Sequence, residues 1–204
     1  MTLRVLIIVA AVIGACSAQG VTATSTGQDE AMTEETLAAE CPLKLNFEDP
    51  VMVQPWRIVN DGVMGGLSQG TRYHEDGYMV FTGVINTNGG GFSSLRAGLR
   101  PGPLAGTKGL KLKIRSDGRA YRMTFRTSER WRGRSVSYQA SIPKTMQEEW
   151  SDVSVSFEDM TTSVFGRTVR AAPFDPSDVR EIGIILADGR DGTFRFEVTR
   201  MDFC

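Results

Sequence analysis

Ser68 lies in a pattern that is typical of covalent catalysis. The segment 66–70 fits G-x-S-x-G, the turn that presents the nucleophilic serine of many hydrolases. That chemistry needs a buried strand before the serine, a helix after it, and an acid and a histidine from later in the chain. Here glycines precede the serine, no helical pattern follows it, and the only histidine is His74. The sequence therefore predicts no serine hydrolase, and we expect a protein that is not an enzyme.

Metal chemistry has little support in the available residue types. Transition-metal sites need clusters of His and Cys, and this sequence has one His and three Cys without metal-ligand spacing. The loop 188–192 (DGRDG) offers two carboxylates, but a dedicated calcium loop is longer and more acidic, so we interpret this loop as a hairpin turn. We therefore expect neither a metal nor a cofactor.

Polar residues at alternate strand positions form the strongest candidate for a binding surface. Successive side chains of a strand point to opposite faces of its sheet, so residues two apart share a face. This rule places one set of residues on a common polar face: Arg122, Thr124, Arg126, Ser137, Gln139, Ser154 and Ser156. Trp131, flanked by Arg130, Arg132 and Arg134, lies in the connection between two of these strands and is expected at the edge of the face.

A face of this composition is suited to recognition. Arginine donates paired hydrogen bonds to carboxylates, phosphates or sugar hydroxyls, and tryptophan offers a stacking plane. We predict that the ligand or partner contacts Arg122, Arg126, Trp131 and Gln139. The alternative is that these arginines only solvate the sheet or pair with acids of neighbouring strands.

The elements that position these residues are predicted to be strands. Apolar and polar residues alternate in several segments of the folded part, which are 43–48, 110–115, 121–126, 136–142, 153–157 and 194–199. A turn at 116–119 predicts that 110–126 is a hairpin with one apolar and one basic face. The glycines of 56–69 predict a long ordered loop. About eight to ten strands without a convincing helix predict an all-β, antiparallel two-sheet sandwich or jelly roll.

The first 18 residues have the features of a secretory signal peptide. Arg4 precedes an apolar run of about eleven residues that is too short to span a bilayer, and small residues follow it. Two processing routes fit. Ile13-Gly14-Ala15-Cys16 resembles a lipobox in which Cys16 receives a lipid, whereas ordinary cleavage would follow residue 18. We expect an exported protein, periplasmic or anchored as a lipoprotein, with an acidic tether at 19–40 and one domain at 41–204.

Charge narrows the choice of partner. The net charge is -1 and the pI is about 5.9, so no overall positive field exists to hold nucleic acid or an anionic membrane surface. Nucleic acid is therefore not an expected partner, and contact with a membrane is expected only through a lipid anchor.

Several motifs of the folded part resemble one known family, that of the complex I intermediate-associated proteins. The matching segments are Trp56, Asn60-Asp61-Gly62-Val63-Met64-Gly65-Gly66-Leu67-Ser68, Phe81-Thr82-Gly83, Asn88-Gly89-Gly90-Gly91-Phe92-Ser93-Ser94-Leu95-Arg96, Arg115-Ser116-Asp117-Gly118-Arg119-Ala120-Tyr121, Tyr138-Gln139-Ala140, Trp150, Phe165-Gly166-Arg167 and Ile182-Gly183. The resemblance covers about 45 to 200 and is specific because these motifs occur together.

The resemblance implies a jelly roll like that of galactose-binding domains, a fold that carbohydrate-binding modules also use. It also implies a non-enzymatic assembly role, since the mitochondrial member of the family that this chain resembles is an assembly factor, a chaperone for membrane-arm intermediates of respiratory complex I. Export would separate this chain from that client. The resemblance therefore predicts the fold of this chain better than its biological role. We expect a module that binds a protein partner; the alternative is a carbohydrate-binding module that uses the same polar face.

The glycine-rich signature has two interpretations. Glycines at 62, 65, 66 and 89–91 permit close backbone approach, so two loops could pack tightly at one rim of the sandwich, with Asp61 and Arg96 as a pair across that contact. This clasp explains the motif without a ligand. The alternative is a recognition site at the rim, with Trp56, Asp61 and Arg96 as its residues.

The two cysteines of the folded part are expected to form a disulfide. In a jelly roll of this kind the first and last strands commonly pair, which would bring Cys41 and Cys204 together in an oxidising compartment.

Overall fold

A computed structural model of the chain describes residues 41–204. The predicted signal peptide, Cys16 and the tether at 19–40 lie outside the described residues. The described strands are β1 Leu43–Asn46, β2 Arg57–Asn60, β3 Gln69–Glu75, β4 Tyr78–Ile85, β5 Ser93–Gly98, β6 Gly109–Ser116, β7 Tyr121–Arg126, β8 Arg130–Trp131, β9 Arg134–Ser135, β10 Ser137–Ser141, β11 Ser151–Ser156, β12 Thr161–Val164, β13 Arg167–Thr168, β14 Glu181–Leu186 and β15 Gly192–Phe203. Three 3-10 helices, Pro50–Val53, Asp61–Met64 and Pro176–Asp178, complete the elements. None of the helices in this range has the length and apolar character that crossing a membrane requires.

The strands form two antiparallel sheets, which confirms the predicted sandwich. The first sheet has the order β11-β6-β15-β4-β3, with β1 paired to β15. The second has seven strands in the order β13-β12-β10-β7-β14-β5-β2. A separate two-stranded hairpin, β8 and β9, extends from the adjacent ends of β7 and β10.

The core lies between the two sheets, where alternating apolar residues of each sheet meet. Met123 and Phe125 of β7 are fully buried there, as are Leu112 and Ile114 of β6. In β15 a register shift between Val198 and Arg200 inserts one extra residue, so that inward positions continue at Met201 and Phe203. Because one face of each strand is fixed in the core, the polar residues between these positions point outward.

The predicted hairpin at 110–126 is wrong in its pairing. β6 pairs with β11 and β15 in the first sheet, whereas β7 pairs with β10 and β14 in the second, so the turn after β6 crosses from one sheet to the other. The loop 188–192 makes a similar crossing between β14 and β15 and is not a hairpin turn. Arg119 ties the two crossings together with a bidentate contact to Asp188, at 3.0 and 2.6 Å. A hairpin and a crossing between sheets would both leave the apolar faces of β6 and β7 in the core. Alternation alone therefore did not distinguish the two arrangements.

The predicted loop at 56–69 contains regular structure. β2 pairs with β5, and a 3-10 helix at Asp61–Met64 follows it directly. β3 then begins at Gln69 and pairs with β4 as a hairpin. The glycines of this segment therefore belong to a tight connection between strands of the two sheets.

The disulfide between Cys41 and Cys204 is confirmed. β1 pairs with the last residues of β15, with Leu43 opposite Phe203, which leaves the two Cα atoms 4.2 Å apart. The bond links the two ends of the described part of the chain.

Candidate functional site

The outer face of the seven-stranded sheet carries a continuous polar row that crosses the strands. Gln139 lies opposite Thr124, Thr124 opposite Gly183, Gly183 opposite Arg96, and Arg96 opposite Arg57. Neighbouring strands lie about 4.8 Å apart, so side chains of the row are within reach of one another. Gln139 and the arginines of β7 thus share a face with Arg96, which the sequence had placed at the rim.

Two serines assigned to this face lie elsewhere. Ser154 and Ser156 belong to β11, which pairs with β6 in the other sheet, so they face outward on the opposite side of the sandwich. The inward positions of β11 were predicted correctly, since Val155 is buried. The prediction failed because parity gives the face of a strand but not the sheet to which that strand belongs.

Glu181 is the centre of this face. It accepts a hydrogen bond from Arg57 and forms ion pairs with Arg96 at 3.7 Å and Arg126 at 3.2 Å. Three strands, β2, β5 and β7, therefore direct one arginine each toward a carboxylate on β14. We call Arg57, Arg96, Arg126 and Glu181 the Glu181 cluster. No other ion pair in the described part of the chain involves these arginines, so the cluster carries two uncompensated positive charges.

Gly183 makes room for the most buried of these arginines. A Cβ at this position would lie 2.8 Å from the Thr124 hydroxyl and 3.1 Å from Cγ of Arg96. The Arg96 stem therefore lies across the glycine, and its Nε donates a hydrogen bond to Ser94 Oγ at 2.9 Å. Only 13% of the Arg96 side chain is exposed, compared with 57% of Arg57.

The electrostatics of the cluster are unfavourable for Arg96. Burial, together with the nearby positive charges of Arg126 and Arg57, lowers the pKa of Arg96 to about 10, although Glu181 acts in the opposite direction. The guanidinium is still protonated at neutral pH, so an additional negative charge at this place would be favourable.

The other predicted face residues have partners within the protein. Arg122 donates to the Ala187 carbonyl at 3.1 Å, at the far end of β7 from Arg126. Gln139 donates to Ser163 at 3.0 Å and more weakly to Ser137 at 3.4 Å. The structure therefore brings Arg126 and Arg96 together, and it leaves Arg122 outside the Glu181 cluster.

Trp131 lies at the edge of the face but does not offer two free ring faces. It is half-buried against the core, and the Arg132 guanidinium lies 4.6 Å from its ring centroid. The exposed aromatic residue of this edge is Phe165, which is 60% exposed and has Arg134 at 5.0 Å from its ring. In the sequence, Phe165 stands out only as part of the motif Phe165-Gly166-Arg167.

Asp61 is the centre of a second carboxylate site, at the rim. It is fully buried and accepts hydrogen bonds from Ser68 N at 2.9 Å, Ser68 Oγ at 2.5 Å, Gly91 N at 2.6 Å and Phe92 N at 3.2 Å. Burial alone would raise the pKa of Asp61, but these hydrogen bonds outweigh it and lower the pKa from its usual value. The carboxylate joins the 3-10 helix Asp61–Met64 to the loop before β5.

Two glycines of the signature are required by this carboxylate. A Cβ on Gly66 would lie 2.2 Å from Cγ of Asp61, and one on Gly90 would lie 2.4 Å from Oδ2. The carboxylate occupies the space that both side chains would need. These contacts support the first of the two interpretations, in which the glycine-rich motif is a structural clasp.

Two details of the predicted rim are wrong. Asp61 does not pair with Arg96, because neutral donors satisfy Asp61 while Arg96 extends over the sheet to Glu181. Trp56 is only 2% exposed and packs edge-on against Phe47, so it is a core residue.

Ser68 donates to Asp61, while His74 contacts the Phe47 carbonyl at 3.1 Å. The G-x-S-x-G segment thus contributes to the clasp.

The outer face of the first sheet has an arginine cluster with balanced charges. Glu197 is nearly buried between Arg115 and Arg195, and Arg195 also binds Glu75 at 2.6 Å. Trp150 covers the Arg115 guanidinium at 4.9 Å. Two carboxylates thus neutralise two arginines here. Among residues 41–204, no group of three or more His, Cys, Asp or Glu is placed to hold a metal ion.

Comparisons with known proteins agree with this fold. The family model described as Complex I intermediate-associated protein 30 matches residues 45–198. A family 11 carbohydrate-binding module from Clostridium thermocellum, solved with a β-1,3-1,4-mixed-linked tetrasaccharide, is 14% identical with a TM-score of 0.52, over 72% of this chain and 88% of that chain. The family 11 module of cellulosomal cellulase Lic26A-Cel5E from the same organism is 12% identical with a TM-score of 0.51, over 74% and 88% of the two chains.

A third solved structure, from a study of promiscuous carbohydrate-binding modules of the β-sandwich superfamily, is 16% identical with a TM-score of 0.51, over 83% of this chain and 64% of that chain. At these identities the likeness shows the fold, a β-sandwich shared with carbohydrate-binding modules. No curated protein matches the chain.

Proposed function

This chain belongs to the Complex I intermediate-associated protein 30 family, and from that premise we propose that it is an exported, non-catalytic module that binds a protein partner on the outer face of its seven-stranded sheet. The observation that carries this proposal is the Glu181 cluster. Three arginines from three strands converge on one carboxylate and leave positive charge at an accessible face. Charge that the fold itself does not neutralise is suited to a charged partner.

Export is supported by two observations. The first 18 residues have the composition of a signal peptide, and the fold contains a disulfide, which persists in oxidising compartments. We further propose that Cys16 carries a lipid anchor. The Cys16→Ser variant should then move from the membrane to the soluble fraction of the cell envelope, whereas a soluble mature protein that begins at Gln19 would exclude the anchor.

Position-specific crosslinking tests the proposed face. A photoreactive residue would replace Ser141 or Thr161, both exposed on the outer face of the seven-stranded sheet, and in a matched control Lys113, exposed on the other sheet. In cells that produce the protein, we expect a discrete protein adduct from the two face positions and none from position 113. Equal adducts from both sheets would contradict the proposal.

Carbohydrate binding is the second candidate, because the similar solved structures are carbohydrate-binding modules. It would use the same face, where Gln139 and the arginines offer donors to hydroxyls. A glycan array with the purified protein separates the candidates. Binding to a neutral glycan that Gln139→Ala abolishes, without any protein adduct in cells, would favour this second function.

A further inference from the structure

The Glu181 cluster has an excess of donors over acceptors. One carboxylate offers two oxygens, and three guanidinium groups carry five N–H donors each. Arg57 and Arg126 remain partly open to solvent, with 57% and 33% of their side chains exposed. The face therefore has unused donors directed outward and positive charge that no residue of the described chain balances.

We propose that Arg57, Arg96 and Arg126 form a receptor for the carboxylates of an acidic segment of the protein partner, and that Glu181 holds these arginines in place when the partner is absent. This inference rests on the proposed function, because it specifies the chemistry of the same face. Guanidinium groups bind carboxylates through two parallel hydrogen bonds, which a lysine-based surface would not provide.

The geometry of the cluster suits more than one carboxylate. Arg57 and Arg96 are register partners on adjacent strands, about 5 Å apart at their backbones, and Arg126 lies on the far side of Glu181. Arg96 is held by Ser94 and by its position across Gly183, while Arg57 has Glu181 as its ion-pair partner and is 57% exposed. A buried arginine between two more exposed ones can bind neighbouring acidic side chains of an extended segment. The low pKa of Arg96 agrees with this arrangement, since an added anion relieves the repulsion among the arginines.

The composition of the face favours an acidic peptide over a neutral sugar. On the outer face of the described seven-stranded sheet, the outward positions of β10, β7, β14, β5 and β2 are Ser137, Gln139, Ser141, Arg122, Thr124, Arg126, Glu181, Gly183, Ile185, Ser94, Arg96, Gly98, Arg57 and Val59. None of these residues is aromatic. A neutral sugar ring would meet no stacking plane among these strands, because the aromatic rings of this face, Trp131 and Phe165, lie at its edge, each with an arginine against it. At the centre of the face, charge is therefore the main attraction.

The test measures binding of a defined acidic probe to the full chain. A fluorescent peptide of about ten glutamates is titrated with wild-type protein, Arg126→Ala and Glu181→Gln at low and at moderate salt. Lys113→Ala and Asp152→Asn make the same charge changes at exposed positions of the other sheet and serve as matched controls. Thermal unfolding of each variant identifies any that fails to fold.

The expected result is opposite for the two variants. Arg126→Ala should weaken binding at least about tenfold, which corresponds to about 1.4 kcal/mol. Glu181→Gln should strengthen it about three- to tenfold, because it removes the internal competitor for the arginines. Lys113→Ala and Asp152→Asn should change affinity less than about twofold. If Arg126→Ala unfolds, the gain of affinity in Glu181→Gln is decisive by itself.

Three outcomes would overturn the inference. They are equal losses in Arg126→Ala and Lys113→Ala, no gain in Glu181→Gln, or preferential binding of an oligogalacturonate over the glutamate peptide, which would assign the arginines to an acidic polysaccharide. The inference can fail while the proposed function stands. If position 141 still gives a protein adduct while affinity for the peptide is insensitive to Arg126 and Glu181, the face binds a protein partner by other chemistry. If the face positions give no protein adduct, the proposed function fails whatever the peptide affinity.

Discussion

Asp61 and Glu181 are both carboxylates at the centre of several donors, but their surroundings differ. Asp61 is fully buried and its partners are neutral backbone N–H groups and one serine. Glu181 is 16% exposed on a sheet face, and its partners are three charged arginines. At Asp61 the backbone N–H groups and the serine hydroxyl all donate to the carboxylate. At Glu181 the arginine N–H donors outnumber the two carboxylate oxygens, and Arg57 and Arg126 are partly exposed to solvent.

This difference distinguishes the structural role of Asp61 from the recognition role that we propose for the Glu181 cluster. A buried carboxylate with neutral donors contributes to stability, because removing it leaves those donors without acceptors. A single arginine of the Glu181 cluster contributes little to stability, since the positive charges repel one another and Arg57 and Arg126 are partly solvated. We therefore expect changes at the clasp to act on folding and changes of the arginines of the Glu181 cluster to act on binding.

The largest expected effect is that of Asp61→Ala. It leaves the N–H groups of Ser68, Gly91 and Phe92 buried without an acceptor, and the free energy of unfolding should fall by about 3–5 kcal/mol. Urea unfolding of this variant and of Glu181→Ala provides the comparison. A smaller loss in Asp61→Ala than in Glu181→Ala would reverse the roles that we assign to the two sites.

Gly90→Ala should have the next largest effect. Its Cβ would lie 2.4 Å from Oδ2 of Asp61, so the carboxylate has to move and weaken its hydrogen bonds, at a cost of about 1–3 kcal/mol. Gly98→Ala is the matched control, because its Cβ would meet nothing within 4 Å on the exposed end of β5. Equal melting temperatures for the two variants would argue against a tight clasp.

The clasp also predicts a dependence of stability on pH. The pKa of Asp61 is lower in the folded protein than in the unfolded chain, so its contribution is fully present above the unfolded pKa, at about 3.9, and is lost as the pH falls through the folded pKa. The loss of stability on acidification below that pH should be smaller in Asp61→Asn than in wild type. Glu181→Gln should keep the loss of unfolding free energy on acidification that Asp61 causes. Urea unfolding of both variants across the acid range measures this difference.

Local sequence information predicted the faces of the strands well. Alternation in β6, β7, β10 and β15 identified the inward residues, because burial on one side of a strand imposes a period of two. The pairing of Cys41 with Cys204 followed from a resemblance, since it depends on the pairing of the first and last strands. The sandwich was therefore predictable, whereas the order of its strands was not.

The Glu181 cluster could not be assembled from sequence. Arg57, Arg96, Arg126 and Glu181 come from four strands that are adjacent only because β14 lies between β7 and β5, with β2 beyond. Arg96 and Arg126 were both singled out, but in separate groups, and Arg57 and Glu181 were missed. The one local signal was Ile182-Gly183 in the family motif, since a glycine within a strand often marks a close approach of other atoms.

The smallest expected effect on stability is that of Arg126→Ala. Its side chain is 33% exposed and shares Glu181 with two other arginines, so the carboxylate keeps partners after the change. Removing one positive charge also relieves the repulsion on Arg96, which offsets the lost ion pair. The free energy of unfolding should therefore change by less than about 0.5 kcal/mol in urea unfolding. A loss above about 2 kcal/mol would show that the Glu181 cluster, like the Asp61 clasp, serves mainly to hold the fold together.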